Sequence, residues 1–215
     1  MAVMSVFATF GLTGVAQAAP VEIAVNGGFE TGDFTGWELF PGTGGAAQQQ
    51  IVTTNPSSGT YAARLTENNP AANIIKQANL FPGQWTEGQA IQISLDYRGT
   101  TAAGGLMFVE LFNELDGGGV GPGSGIIGGP LFGGPTADDW QTFTTTAFAG
   151  PITDGGITLQ LAVICGADPN CVADFYIDNV SIVADVVPIP AAVWLFGSAL
   201  LGMGGLSRKL RGKAS

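Results

Sequence analysis

Two carboxylates far apart in the chain sit where they could build a cation site. Glu30 follows Asn26-Gly27-Gly28-Phe29, and the two glycines let the backbone bend and expose carbonyl oxygens. Asp178 lies in Phe175-Tyr176-Ile177-Asp178-Asn179-Val180, close to the end of the region that can fold as a domain. Ends of compact domains often lie close together, so the last strand should bring Asp178 toward Glu30. Two carboxylates with several carbonyls form an oxygen cage of the kind calcium takes, with about six to eight ligands. The same side chains could instead cap turns by accepting backbone N–H groups, and the sequence leaves both roles open.

Other chemistries are narrowed by composition. The chain has no histidine, which removes Ser-His-Asp and Cys-His triads and His-ligated zinc. A glycosidase needs two carboxylates about 5–10 Å apart. Glu110 and Glu114 would share one face of a strand, yet no motif singles them out, so a non-catalytic protein is expected. Cys165 and Cys171 are the only cysteines. In an exported chain this pair reads as a disulfide closing a short turn-rich loop, which stabilises by about 2 kcal/mol on the chain-entropy estimate. A two-cysteine metal site would lack further soft ligands.

Both ends of the chain point to export. Residues 2–15 are apolar and are followed by Ala16-Gln17-Ala18, a small-x-small cleavage pattern, so residues 1–18 are expected to be a signal peptide, helical in its apolar part. At the other end, Val187-Pro188-Ile189-Pro190 precedes an apolar run to Leu206 and then Arg208, Lys209, Arg211 and Lys213. Residues 189–206 carry no charge. As a helix they span roughly 27 Å, enough for a bilayer core. The basic tail places the C-terminal end on the cytoplasmic side.

Between these ends, residues 19–186 form one domain's length of chain. They hold three basic residues against seventeen acidic ones, a formal charge of −14. Such a surface repels phosphates, which excludes nucleic acid as a partner. It suits uncharged ligands or divalent cations, and it also keeps a lysine-poor secreted protein soluble. Seven β-prone runs are recognisable, at 48–53, 61–66, 89–98, 106–115, 140–148, 157–164 and 175–183. Ile91, Ile93, Leu95 and Tyr97 alternate cleanly with polar residues, as do Ile157, Leu159, Leu161 and Val163 on one face of theirs. The period breaks at Asp178-Asn179, which points to a bulge. No long helical period is present, and turn signals separate the runs. An all-β, two-sheet β-sandwich follows, with room for one or two further strands. Residues 117–134 are glycine-rich and interrupted by Pro122 and Pro130. They read as a long mobile loop whose apolar residues dock on the sandwich.

Two resemblances add to this reading. The tail, with its proline pair, Trp194-Leu195-Phe196-Gly197-Ser198 and basic end, resembles the PEP-CTERM segment of Gram-negative exported proteins. That resemblance implies a membrane-held precursor at the inner membrane. It also implies processing by an exosortase, a membrane protease-transpeptidase, for the cell surface or extracellular matrix. Ile189 stands where the name-giving motif has glutamate.

The second resemblance rests on four segments in order. They are Val25 to Trp37, Ser57-Ser58-Gly59-Thr60-Tyr61-Ala62-Ala63-Arg64-Leu65, Trp140-Gln141-Thr142-Phe143, and Phe175 to Ile182. Together they resemble the carbohydrate-binding modules of families 4 and 9 and their galactose-binding-like jelly-roll relatives. The resemblance implies a jelly-roll sandwich that binds polysaccharide. It also implies a structural calcium held by Glu30, Asp178 and the carbonyls of Gly28 and Ser57 or Ser58. Sugar contacts in those modules use exposed aromatic faces in a cleft on one sheet. Trp85, in a turn-like setting, and Tyr97 are the candidates here, whereas Trp37 and Trp140 read as core.

Overall fold

A computed structural model describes residues 20–133 and 136–184. The segments expected to be a signal peptide (1–18), the sorting motif (187–190), a membrane helix (189–206) and the basic tail lie outside the described residues.

Among the described residues, eleven strands make two facing sheets. They are β1 (Val21–Glu22), β2 (Glu38–Phe40), β3 (Gln49–Val52), β4 (Ala62–Glu67), β5 (Ala71–Leu80), β6 (Ala90–Ala102), β7 (Leu106–Glu114), β8 (Gly125–Leu131), β9 (Gln141–Phe148), β10 (Gly156–Cys165) and β11 (Val172–Ala184). One sheet runs β3-β4-β11-β6-β9, with β1 also paired to β11; the other runs β2-β5-β10-β7-β8. The described pairings are all antiparallel.

The alternation seen in the sequence explains the core. Ile91, Ile93 and Leu95 of β6 face Leu159, Leu161 and Val163 of β10 and Met107, Val109 and Leu111 of β7, all essentially inaccessible. Trp37 joins them, its ring stacked on Phe29 at 5.5 Å. Cys165 and Cys171 form the expected disulfide.

Strand β11 changes partners along its length. Ala173 to Ile177 pair with β4, the register shifts between Asp178 and Ser181, and Val183 and Ala184 pair with β1. The irregularity expected at Asp178-Asn179 is this shift, and Asn179 adopts a left-handed φ of 49°.

Two expectations are corrected. The glycine-rich stretch is not one long loop: Gly125–Leu131 is a strand hydrogen-bonded to β7, and Val120 bridges Glu114. Glycine is required there rather than merely tolerated, since a Cβ at Gly128 would lie 2.1 Å from the Phe143 ring. Trp140 is not a core residue. It lies half-buried on the outer face of the six-stranded sheet, over the Arg98 guanidinium.

Candidate functional site

The turn at Asn26–Gly32 is built by its sequence. Asn26 and Phe29 both take positive φ, 50° and 56°. Gly27 lies so close to β11 that a Cβ would sit 1.8 Å from the Val180 carbonyl oxygen, and its own carbonyl accepts the Val180 N–H at 2.9 Å. This contact ties the turn to the bulge of β11. It brings together the residues singled out in the sequence: a Cβ at Gly28 would lie 3.7 Å from Asp178 Oδ1 and 3.8 Å from Glu30 Cγ. The Ser57-Ser58-Gly59 turn closes over them. Ser58 N–H donates to Asp178 Oδ2 at 3.0 Å, and the Thr60 and Tyr61 N–H groups donate to Glu30 Oε1 at 2.9 and 3.0 Å.

A third carboxylate, not singled out in the sequence, completes the cluster. Asp96 is directly opposite Asp178 in the β6–β11 ladder. It accepts from Ser57 Oγ, Asn179 Nδ2 and Thr142 Oγ1 at 2.7, 2.8 and 2.7 Å. Its burial opposes ionisation, but these three hydrogen bonds outweigh that and hold its pKa below the usual value. Asp178 goes the other way. Complete burial pushes its pKa up, and the charge on Asp96 adds to the effect, while backbone hydrogen bonds from Ser58, Asn179 and Ser57 work against it.

Among the described residues none of these three carboxylates has an ion-pair partner. A buried ionised group without a counter-charge is costly. Carboxylate oxygens are hard ligands of the kind calcium takes. Among the described residues no three Asp, Glu, Cys or His side chains group closely enough to ligate an ion by themselves. An ion here would therefore draw on main-chain carbonyls, as the sequence reading has it. Glu30 and Asp178 serve the turn-capping role, accepting backbone N–H groups from Thr60, Tyr61, Ser58 and Asn179.

The two aromatic candidates lie elsewhere. Tyr97 is 8% exposed, on the inner face of β6 against Phe175. Trp85 packs half-buried on the core and donates its indole N–H to the Leu80 carbonyl at 2.9 Å. Neither presents a free ring face on a sheet.

An open aromatic surface does exist, on the outer side of the five-stranded sheet. Cross-strand register aligns Glu38, Lys76, Gln160, Glu110 and Ile126 in one row, from β2 to β8. The polar members are held to one another. Lys76 lies 3.5 Å from Glu38 and over the Phe40 ring, and Gln160 Nε2 donates to Glu110 Oε2 at 2.5 Å. On one side of this row runs Phe40, Ile74, Ala162 and Phe108; on the other lie Thr158 and Phe112. Phe108 and Phe112 are half-buried and Phe40 is 45% exposed. With strands about 4.8 Å apart, the row is roughly 19 Å long. The signal in the sequence was the imperfect alternation of 106–115: a strand apolar on both faces has a use for its outer one.

Comparison with known proteins places the fold. No protein-family model matches the chain, and no curated protein matches it. Solved structures do. The CBM22-1 xylan-binding domain of Paenibacillus barcinonensis Xyn10C matches with a TM-score of 0.52 at 10% identity, over 81% of this chain and 100% of that one. TmCBM61, solved in complex with β-1,4-galactotriose, matches with a TM-score of 0.50 at 17% identity, over 75% of this chain and 97% of that one. The enzymatically active domain of tailspike protein 4 from bacteriophage CBA120 matches at 0.54 and 15% identity, over 75% of this chain and 21% of that one. At these identities the likeness is one of fold: the chain is a two-sheet jelly-roll sandwich of the architecture that carbohydrate-binding modules use.

Proposed function

We propose that the chain is a non-catalytic carbohydrate-binding module that takes an extended polysaccharide across the outer face of the five-stranded sheet. The observation that carries this is the row of interlocked polar side chains bordered by Phe40, Phe108 and Phe112. Apolar surface flanking a few fixed polar groups is how small-molecule and sugar sites combine affinity with orientation. The xylan-binding domain and the galactotriose-bound module with this fold support the same reading. Glu30, Asp178 and the carbonyls of Gly28 and Ser57 or Ser58 hold a structural calcium that fastens the turns beside β11. The test is a glycan array probed with the full chain purified in detergent. Binding to at least one polysaccharide, weakened by Phe112→Ala, is the expected result; no binding to any glycan would leave a surface protein without a specific ligand.

The export reading completes the proposal. Residues 1–18 direct the chain out of the cytoplasm, and the 187–215 segment holds it in the inner membrane. An exosortase then processes it at Val187-Pro188-Ile189-Pro190, releasing it to the cell surface or matrix. Deleting residues 191–215 should free the protein from the membrane fraction; retention there would refute the anchor.

A further inference from the structure

The outward positions of β7 read Phe108, Glu110, Phe112 and Glu114, aromatic rings and carboxylates in alternation. Same-face neighbours on one strand are about 7 Å apart, so Glu110 has a ring at that spacing on either side. Across the sheet it stands between Gln160 of β10 and Ile126 of β8. Three of its four nearest neighbours on this face are therefore apolar. The fourth serves the carboxylate at one oxygen only. Gln160 Nε2 donates to Glu110 Oε2, and among the described residues Glu110 Oε1 and Gln160 Oε1 have no hydrogen-bond partner. The pair thus offers acceptors to whatever lies over it.

Charge on the face is equally uneven. The basic residues among those described are all committed, Lys76 to Glu38, Arg64 to Asp174 and Arg98 to Asp138. Glu110 and Glu114 have no ion-pair partner among the described residues. Lys76 and Glu38 cancel at one end of the cross-strand row, so the β7 end carries the excess negative charge. Lys76 is two strands from Glu110, roughly 10 Å, about one Debye length at 0.1 M salt. This asymmetry discriminates among glycans. A polysaccharide laid over β7 strips water from the Glu110 carboxylate, and an ionised group covered without a counter-charge is costly. A neutral sugar returns hydroxyl donors but no charge, and a uronate or sulfated sugar adds repulsion. A protonated amino group returns both. It has three donors and no acceptor, its hydrogen bond to Glu110 is charge-assisted at both ends, and aromatic rings attract it. The formal charge of −14 on the domain draws in a cationic polymer from a distance and does nothing for a neutral one.

We propose that the polysaccharide taken by the open face carries free amino groups, and that Glu110 selects for them. It holds one ammonium between Phe108 and Phe112, while an uncharged sugar lies over the Lys76–Glu38 pair. This rests on the sheet-face reading and names the class of its ligand.

The test is calorimetric titration of the full chain, in an uncharged detergent and mildly acidic buffer, with two tetrasaccharides of one backbone. One is β-linked glucosamine with free, protonated amino groups; the other is its fully N-acetylated counterpart. The free-amino form should bind about tenfold more tightly, and its advantage should shrink as salt is raised. Glu110→Gln keeps an acceptor for Gln160 and removes only the charge. It should weaken the free-amino form about tenfold and leave the acetylated form within about twofold. Asp139→Asn removes an exposed carboxylate from the loop before β9, on the other sheet, and should change neither. Equal affinity for the two forms, or a preference that survives Glu110→Gln, overturns the proposal and leaves the sheet-face reading in place. An equal loss in Asp139→Asn also overturns it, marking adsorption of a polycation to the acidic domain as a whole. So does binding of neither form while the glycan array finds another polysaccharide. Binding indifferent to Phe112→Ala would remove the sheet-face reading and this one with it.

Discussion

The outer faces of the two sheets are made of similar residue types and put them to opposite uses. On the six-stranded sheet, Arg98 is 2% exposed, packs on Tyr176 at 3.7 Å and under Trp140, and donates to the carbonyls of Thr54 and Ala137. Asp96 binds Ser57, Asn179 and Thr142, and Arg64 is locked to Asp174. Arg98 and Asp96 there fasten loops to the sheet through Thr54, Ala137 and Ser57, while Arg64 and Asp174 join neighbouring strands. On the five-stranded sheet, Phe40, Phe108 and Phe112 border a row whose polar groups, among the described residues, pair with one another and with the Phe40 ring rather than with a loop. Similar chemistry is tied into the structure where loops reach it and stays open where they do not.

The sharpest way to break this contrast is on the loop-bearing face. Arg98→Ala removes a buried charge that satisfies two loop carbonyls, and it should cost about 3 kcal/mol, read from urea denaturation. Glycan affinity of the folded protein should hold. An affinity loss without a stability loss would reverse the assignment of the two faces.

Calcium comes next. If the ion binds only the folded state, stability rises by RT ln(1 + [Ca²⁺]/Kd), about 2.7 kcal/mol at a hundredfold excess. Chelator-stripped protein should melt higher in millimolar calcium, and Asp178→Asn should flatten that response. A melting curve indifferent to calcium would leave the cluster as turn caps alone.

On the open face, Phe112→Ala and Phe40→Ala should each weaken polysaccharide binding about tenfold, or roughly 1.4 kcal/mol, measured by affinity electrophoresis. Stability should change by no more than about 1 kcal/mol. A large stability loss with unchanged affinity would show this face to be structural too.

The smallest effect is in pH. Asp178 has a raised pKa in the fold, so holding it ionised destabilises the calcium-free protein at neutral pH. That penalty is relieved as pH falls through its raised pKa toward the ordinary carboxylate range. Asp96 has a lowered pKa, so it contributes stability above the ordinary carboxylate value that is lost as pH falls through its folded pKa. Melting curves of Asp178→Asn and Asp96→Asn against pH should therefore depart from the parent with opposite signs. Departures of the same sign would refute the two environments.

How much of this the sequence carried depended on whether neighbours in the chain or neighbours in space supplied the signal. β6 and β10 were plain because their inward residues are uniformly apolar. β5 is masked in the sequence because its inward positions include Asn73 and Gln77, both buried. Asn73 bonds Gln49 and the Gln48 and Thr66 carbonyls, and Gln77 bonds both the N–H and the carbonyl of Val25. Buried amides paired with backbone break the alternation without breaking the strand. β8 was hidden by glycines that the Phe143 ring demands, a contact no local rule foresees. Glu30 and Asp178 were legible through their turn motifs, whereas Asp96 and the row from Glu38 to Ile126 acquire meaning only from register across strands.

The change of partners along β11 has a mechanical side. β6 flanks this strand from Val172 to Ala184, while its opposite edge is shared by β4 and β1. Tension applied at residue 184 along the strand axis loads the β6 ladder in shear, so its hydrogen bonds bear the force together rather than parting one by one. The short β1 pairing at Val21 and Glu22 can yield first and act as a fuse. If the proposed C-terminal anchor holds the domain, a pull on it would take the first strand while the sandwich stays whole.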